Sequence, residues 1–406
     1  MSRRGQVVIM GILGRTPLAG VSWQVLQYLE GFRRLDYDCY YIEDTYDWPF
    51  NPELELTTRK YDNEQYEVVC EYAVNYLARV MSWCGLGDRW AYWSRIDGRL
   101  FGLSESRISS LFRNADILVN LTGSTRLSEE HLHVPVRIYL ETDPVIPQIE
   151  IATGNRNTIE LLSAHTHHFT YGENLGAPDC AVPVSEFDFR PSRPPVVMDW
   201  WTLGDSGSSA FHHRPQSVYT TIATWVQTGR KDIDWNGEKY LWSKHFEFLK
   251  FIDLPRYTPQ RFESALLLKK EEEDVIPLLK SHGWLIRDAR AVSKDILPYR
   301  DYILQSRGEF TVAKDVYVRP KSGWFSDRSV CYLAGGCPVI TQETGFSKFI
   351  ETGRGLFSFR TMEDIVAAFD AIESDYEQHS RAARELAAEY FAVEKVLGRL
   401  MQDLDL

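Results

Sequence analysis

The most informative stretch of the chain runs from residue 322 to residue 346 and reads SGWFSDRSVCYLAGGCPVITQETGF. A loop of small residues leads into a predicted helix from Ser326 to Leu333, which two glycines end. The apolar run at 338–341 is typical of a buried strand, and a second glycine turn follows at its carboxyl end. This order of elements predicts a parallel α/β sheet with a ligand cleft at the carboxyl ends of its strands.

The first turn of that predicted helix has the composition of an anion site. Free N–H groups at a helix start attract negative charge, and the helix dipole adds to the attraction. Ser326 and Ser329 supply hydroxyl groups, and Arg328 can bind a phosphate through two parallel N–H donors. We therefore expect a diphosphate here. Two interpretations of Asp327 stay open, since it can accept a hydrogen bond from a ribose or sugar hydroxyl or cap the helix.

Alternation of strands and helices extends over the rest of the chain and predicts an α/β fold throughout. Helical periodicity fills much of residues 62–115, and two more helices are predicted after Thr361 and at about 379–391. Three prolines in 189–195 and a Gly/Ser-rich stretch at 204–210 mark the best candidate for a domain junction. Further strands are predicted at 7–10, 39–42, 117–120, 137–140, 168–171, 218–224, 264–268 and 315–318.

Composition limits the class of protein. The chain has 406 residues, 44% of them hydrophobic, which is enough for two domains with cores of their own. A formal net charge of −12 argues against nucleic acid as a partner. Six cysteines without C-x-x-C spacing predict neither a zinc nor a redox site and are typical of a reduced, cytoplasmic protein. No apolar run is long enough to span a bilayer, and the first residues do not have the pattern of a signal peptide.

A cluster of histidines at His165, His167 and His168 is the feature that most resembles a metal site. His212 and His213 follow later in the chain. No carboxylate or cysteine lies at ligand spacing, so no metal site is predicted. A single histidine acting as a base or a sugar ligand is the better functional interpretation.

The turn after the first strand contains Gly14 and Gly20. Its spacing matches neither the dinucleotide fingerprint nor the P-loop. The turn either lines a ligand cleft at the sheet edge, or its glycines only permit a tight turn.

Lys244 and Asp143 are two further candidates for the site, because one follows a predicted helix N-cap and the other follows a predicted strand. Lys244 comes after Ser243, a predicted N-cap, and a cation in a first helical turn either has a phosphate partner or is a solvated surface lysine. Asp143 follows the strand at 137–140. It either faces the cleft as a base or acceptor-orienting group, or it only starts the turn before Pro144.

These pieces together resemble one family. Residues 19–24, the helix after them and residues 37–42 resemble the opening of GT-B glycosyltransferases of the group-1, family-4-like class. Residues 323–341 with Thr344-Gly345-Phe346 resemble the donor-site helix of that class. The best match is to uncharacterised bacterial glycosyltransferases with the same SGWFSDRS…TGF segment, which are similar around Trp225, Lys244, Glu309 and Lys314.

The resemblance spans nearly the whole chain and implies two Rossmann-like domains that face each other across a cleft. Residues 1–190 would form an N-terminal domain on the acceptor side. Residues 191–384 would form the domain that binds a nucleotide sugar, and a helix at about 385–406 would pack back on the first domain.

The resemblance also implies an activity. We expect a metal-independent, retaining enzyme that moves a sugar from a nucleoside diphosphate sugar to a small-molecule, glycan or lipid-linked acceptor, with no cofactor besides the sugar nucleotide. The expected catalytic residues are Asp143, Lys244 and Arg328. The expected donor-binding residues are Gly14, Gly20, Trp225, Glu309, Lys314, Ser326, Asp327, Ser329, Thr344, Gly345 and Phe346.

The sequence departs from the family in one respect. Family-4 enzymes carry two glutamates eight positions apart at the donor helix, where this chain has Gly323 and Cys331. Gln24 stands at the place of the usual histidine near the first loop. Two alternatives therefore stay open: a sugar-nucleotide 2-epimerase, which needs two carboxylates around the sugar, and a non-catalytic nucleotide-sugar-binding relative.

Overall fold

A computed structural model describes residues 4–54, 63–184, 186–202, 217–227 and 232–404. The described chain forms two large sheets and a small hairpin. The strands of the first sheet are β1 (Gly5–Met10), β2 (Tyr37–Thr45), β3 (Trp90–Ser94), β4 (Leu100–Gly102), β5 (Ile117–Leu121), β6 (Val136–Glu141), β7 (His167–Thr170) and β8 (Phe189–Pro191). The later strands are β9 (Val218–Thr224), the hairpin strands β10 (Ile233–Trp235) and β11 (Glu238–Tyr240), and then β12 (Arg261–Leu267), β13 (Leu285–Asp288), β14 (Gly308–Thr311), β15 (Val339–Gln342) and β16 (Leu356–Phe359).

Helices follow most strands. The helices of the first half are α1 (Ala19–Arg34), α2 (Asn63–Trp83), α3 (Glu105–Asn114), α4 (Ile146–Ala152) and α5 (Arg156–Ser163). The later helices are α6 (His245–Leu249), α7 (Val275–Ser281), α8 (Ala289–Ser293), α9 (Ile296–Gln305), α10 (Asp315–Val318), α11 (Asp327–Ala334), α12 (Met362–Ser374), α13 (Tyr376–Tyr390) and α14 (Val393–Asp403).

Both large sheets are built almost entirely of parallel strands. The first has the order β4-β3-β2-β1-β5-β6-β7-β8, and only the β3–β4 pair is antiparallel. The second has the order β13-β12-β9-β14-β15-β16 and is parallel throughout. The apolar run Val7 to Met10 in β1 is fully buried, as expected for a parallel strand that helices cover on both faces. This doubly wound arrangement places the loops at the carboxyl ends of the strands next to one another.

Two local predictions are wrong. The segment 315–318 is the helical turn α10, because the Lys314 carbonyl accepts from the N–H groups of Tyr317 and Val318; the neighbouring strand is β14. Ser243 does not cap α6; its hydroxyl oxygen accepts a hydrogen bond from the Gln227 N–H at 3.1 Å. The helical pattern predicted for much of 62–115 is present as α2 and α3, with β3 and β4 between them.

The predicted capping box at the start of α12 is confirmed. The Thr361 hydroxyl oxygen accepts from the Asp364 N–H at 3.2 Å, and the Asp364 carboxylate accepts from the Thr361 N–H at 3.0 Å. These two bonds satisfy N–H groups that a helix start otherwise leaves without partners.

The chain after β8 joins the two sheets beside α14. Val196 donates its N–H to Phe391 O at 2.8 Å and accepts from the Val393 N–H at 3.0 Å. Helix α14 packs on α1 at Gly31, where a Cβ atom would lie 2.2 Å from a methyl carbon of Val393. The predicted domain boundaries at 190 and 384 stay a prediction, and the Gly/Ser-rich stretch at 204–210 lies outside the described residues. No helix in the described chain is long and apolar enough to cross a bilayer.

Candidate functional site

A cavity of about 340 Å³ lies between the two sheets. One wall consists of the ends of β9 and β12 together with α8, α9 and α11. The other consists of the loop after β1, the first half of α1 and the turns after β5 and β6. Of the predicted site residues, the cavity wall includes Gly20, Asp143, Lys244, Lys314, Ser326, Asp327 and Arg328.

Arg328, in the first turn of α11, is held by an acid that lies behind the cavity wall. Its Nε donates to Glu309 Oε1 at 2.6 Å, and its Nη2 donates to the Thr311 hydroxyl oxygen at 2.9 Å. The Glu309 side chain is 0% exposed and that of Arg328 is 12% exposed. Burial disfavours the guanidinium charge, but the field of Glu309 outweighs it and raises the pKa of Arg328. Arg328 is therefore a fixed positive group in the cavity wall, and Glu309 supports it without lining the cavity.

Lys244 is a second basic residue in the same wall. In the described part of the chain its ammonium group has no carboxylate at ion-pair distance. Burial, followed by the positive charge of Arg328, lowers the pKa of Lys244 well below its usual value. An anion bound between Lys244 and Arg328 would offset the free-energy cost of a positive charge on Lys244. The pair therefore forms an electrostatic site for a negatively charged ligand.

Lys314 and Asp143 meet across the cavity. The Lys314 Nζ donates to Asp143 Oδ1 at 3.0 Å and lies 3.4 Å from the centre of the Trp242 ring. Tyr317, one turn further along α10, also donates to Asp143 Oδ1. The sequence predicted Lys314 as a donor ligand and Asp143 as an acceptor-side group, and the structure places them in contact with each other.

Asp327 is the first residue of α11 and lines the cavity, and the N-cap position before it belongs to Ser326. The Asp327 Oδ1 accepts from the Arg328 N–H at 2.9 Å at the start of α11, and its Oδ2 accepts from Gln24 Nε2 on α1 at 3.3 Å. Burial raises the pKa of Asp327. The adjacent Ser326 lines the cavity, and its side chain makes no capping bond to α11. Asp327 and Gln24 thus join the two walls at a polar point of the cavity.

The turns at the ends of β5 and β6 hold two β-branched residues in unfavourable conformations. Thr122 has φ +65° and Val145 has φ +87°, which β-branched side chains rarely adopt. Thr122 lines the cavity, and Val145 ends the turn that carries Asp143. Such backbone strain concentrates where a loop must present a group in one position.

The other predicted site residues do not line this cavity. The Gly14 N–H donates to Glu43 Oε2 at 2.7 Å, and Trp225 packs on Phe248 beside a small pocket next to Lys244. The Ser329 hydroxyl is fully buried and has no hydrogen-bond partner in the described chain.

The residues of the second glycine turn support α11 from outside the cavity. Thr344 donates its hydroxyl to Trp324 O at 2.5 Å, and Gly345 has φ +101°. Phe346 packs on Phe325 with ring centres 5.1 Å apart. Their role in the structure is to shape the loop that leads into α11.

The two departures from the family pattern have different structural settings. Gly323 has φ +80°, and a Cβ atom there would lie 2.4 Å from the Asn174 backbone nitrogen, so the loop leaves no room for a glutamate. Cys331 lines the cavity one turn after Asp327. Burial raises the pKa of its thiol well above the usual value, so the group is neutral.

Sequence reasoning missed Arg290 and Tyr299, which also line the cavity. Arg290 follows Asp288, which accepts its N–H at 2.9 Å and caps α8, and this capping pattern was readable in the sequence. Tyr299 lies on the buried side of α9 with Ile296 and Ile303, so nothing in the local pattern distinguishes it from a core residue.

Two histidines of the cluster, His165 and His168, are buried, and His167 is partly exposed. His165 Nε2 lies 3.1 Å from Asn120 Nδ2, and burial lowers the pKa of His165 to about 4. Within the described residues, no group of three or more acids, histidines or cysteines is placed to hold a metal ion. His212 and His213 lie outside the described part of the chain.

Comparison with known proteins rests on structure alone, since no protein-family profile and no curated protein sequence matches the chain. Anabaena HepE, solved with UDP and glucose, is similar at TM-score 0.55 and 10% identity over 99% of this chain and 100% of its own. An alpha-glucosyltransferase solved with UDP-glucose and DNA containing an abasic site has the same scores and coverage. Sucrose-phosphate synthase from Thermosynechococcus elongatus is similar at TM-score 0.54 and 11% identity over 99% of both chains. The likeness covers both sheets, and the predicted fold class is confirmed: the chain has the GT-B fold.

Proposed function

We propose that the protein is a glycosyltransferase that uses a nucleoside diphosphate sugar as donor. The observation that carries the proposal is a pair of basic residues that line the cavity between the two sheets, Lys244 just before α6 and Arg328 in the first turn of α11. The N–H groups of that turn add to the positive potential. Structural neighbours with UDP or UDP-glucose bound support a nucleotide of this kind.

In the proposed reaction the cations act on the leaving group. Negative charge develops on the diphosphate as the bond to the sugar breaks, and positive groups held in the cavity wall stabilise that charge. Arg328 is held in place by Glu309 and Thr311, so little reorganisation is required. Because these groups neutralise the diphosphate themselves, we propose a metal-independent reaction.

At the sugar end, we propose that Asp327 accepts a hydrogen bond from a donor hydroxyl. Asp143, on the opposite wall, accepts a hydrogen bond from the acceptor hydroxyl and orients it toward the donor. Retention of configuration remains a proposal, and the anomeric configuration of the product, read by NMR, tests it. The acceptor classes are a small molecule, a glycan or a lipid-linked sugar, and the net charge of −12 disfavours nucleic acid. We also propose a cytoplasmic location, since all six cysteines are free.

The test is binding and turnover across a panel of UDP-, GDP- and dTDP-sugars. At least one of them, or its free diphosphate nucleotide, should raise the melting temperature and be hydrolysed slowly with water as acceptor. Arg328→Ala should abolish the shift, whereas Arg354→Ala, which breaks an exposed ion pair with Glu385, should leave it unchanged. The proposal fails if no nucleotide of the panel shifts the melting temperature of the unaltered chain.

A 2-epimerase on the same scaffold is the second candidate. Asp143 and Asp327 both line the cavity, from opposite walls, and the charge of Asp143 contributes to the raised pKa of Asp327. Two carboxylates around a sugar are the groups that epimerisation requires. Formation of an epimer from the donor without any acceptor would favour this candidate, and tight binding without turnover would favour a non-catalytic binding protein.

A further inference from the structure

The turn that carries Asp143 is fixed by its own half of the molecule. Val145, at φ +87°, donates its N–H to Gln148 Oε1 at 2.7 Å. The amide nitrogen of Gln148 donates to both carboxylate oxygens of Glu141, at 3.0 and 2.9 Å. Glu141 is 2% exposed and lies at the end of β6. These bonds compensate for the strained conformation and fix where Asp143 leaves the sheet.

Helix α10 holds the same residue from the opposite sheet. Tyr317 donates its hydroxyl to Asp143 Oδ1, and Lys314 Nζ reaches the same oxygen at 3.0 Å. The Tyr317 side chain is 0% exposed and stacks on Trp324 with ring centres 4.5 Å apart. Trp324 in turn donates its indole N–H to Thr142 O at 2.9 Å, next to Asp143. The hydroxyl of Tyr317 therefore has one accessible position.

We propose that Tyr317 is a positioning residue that sets the orientation and the proton affinity of the Asp143 carboxylate. The inference rests on the proposed function, in which Asp143 receives a hydrogen bond from the acceptor hydroxyl. A carboxylate that accepts a phenolic O–H is stabilised in its ionised form and rotates less freely. The acceptor-side group is thus completed by a side chain from the nucleotide side of the cavity.

The other charged and titratable groups around Asp143 do not replace this bond. Lys314 is on the same side as Tyr317 and provides the opposite charge. Burial, with a smaller contribution from the charge of Asp143, raises the pKa values of Asp327 on α11 and of Tyr171 after β7. A negative Asp327 favours protonation of Asp143, which makes a hydrogen bond to the ionised form more important. Loss of one hydrogen bond to the ionised form of a carboxyl group raises the pKa of that group by about 1–2 pH units.

The experiment compares Tyr317→Phe with the unaltered chain. The substitution keeps the ring stacked on Trp324 and removes only the hydroxyl. Hydrolysis of the panel's active sugar nucleotide, beginning with UDP-glucose, is followed against pH, and UDP binding is measured by calorimetry. We expect the acid limb of kcat/KM to move to higher pH by about 1–2 units while UDP affinity is unchanged. Tyr302→Phe is the matched control, because it removes a hydroxyl bonded to Glu263 at 2.9 Å outside the cavity.

Each outcome decides the inference. A Tyr317→Phe protein that binds UDP and turns over with an unmoved acid limb overturns this inference alone. An unaltered chain that binds no nucleotide and hydrolyses no donor overturns the proposed function and this inference with it. If Tyr317→Phe does not fold, 3-fluorotyrosine introduced at the same position keeps the ring and the hydroxyl. A stronger hydrogen-bond donor should then move the acid limb to lower pH, and no movement counts against the inference.

Discussion

Replacing Glu309 with glutamine separates support of Arg328 from direct contact with the ligand. In the structure the carboxylate bonds Arg328 Nε at 2.6 Å and does not line the cavity. Two opposite unit charges separated by about 4 Å attract each other by about 4 kcal/mol at an effective dielectric constant of about 20. Breaking a buried pair by removing one partner costs about 3–5 kcal/mol. Because glutamine keeps a neutral hydrogen bond, we expect a loss of about 3–4 kcal/mol, or roughly 6–16 °C in melting temperature.

The same substitution leaves Arg328 with an uncompensated charge facing the cavity. Diphosphate binding should therefore be retained or become tighter, even though the ligand-free protein is less stable. The assay is a pair of measurements on Glu309→Gln, the melting temperature without ligand and the Kd for UDP by calorimetry. Glu385→Gln, in an exposed pair with Arg354, should cost less than about 1 kcal/mol. A small loss of stability combined with about tenfold weaker UDP binding would refute the reasoning and assign Glu309 to the ligand.

Three further results are expected. The pKa of Lys244 is lower in the folded chain than the 10.5 of the unfolded chain, so between these two pKa values the unfolded chain binds the proton more tightly and is favoured. Lys244→Met removes this cost and should therefore stabilise the ligand-free chain at neutral pH. It should also weaken UDP binding and abolish the proton uptake that binding causes, which calorimetry in buffers of different ionisation enthalpy detects. Burial raises the pKa of Glu43 from 4.5 to about 7, so stability should fall by about 3 kcal/mol as pH rises through that interval, and Glu43→Gln should flatten the denaturation profile there. Turnover of the donor sugar nucleotide should be unchanged by EDTA; full loss that Mg²⁺ restores would contradict metal independence.

The start of α11 could be predicted because its signals are local. Small residues, a serine and an acid before an apolar stripe, and two glycines after it all lie within one short segment. The same holds for β15, whose apolar run is buried on both faces. The α/β class followed from the alternation of such segments, and the GT-B form of it followed from the family resemblance.

Strand β14 was missed for a physical reason. Its sequence contains Glu309, an acid that does not suit a buried strand unless a partner compensates its charge. That partner, Arg328, is 19 residues further along the chain and on another element. The sequence therefore favoured 315–318, with two valines and a tyrosine, as the strand, and this segment is the helical turn α10.

The contact between Asp143 and Lys314 also could not be predicted from the sequence. Asp143 stood out because it followed a predicted strand and Lys314 because of the family resemblance, and the two were assigned to opposite substrates. Their pairing depends on how the two sheets face each other, and the partners are 171 positions apart. No local pattern contains that information.

The packing of α14 on α1 has a consequence for how the protein is made. Arg34 on α1 and Glu394 on α14 form an ion pair at 2.8 Å although 360 positions separate them. A ribosome adds about 5–20 residues per second, so roughly 20–70 s pass between the synthesis of α1 and the synthesis of α14, which packs on it. During that time the first sheet is synthesised but incompletely buried, and its uncovered surface is a natural target for chaperones that bind nascent chains.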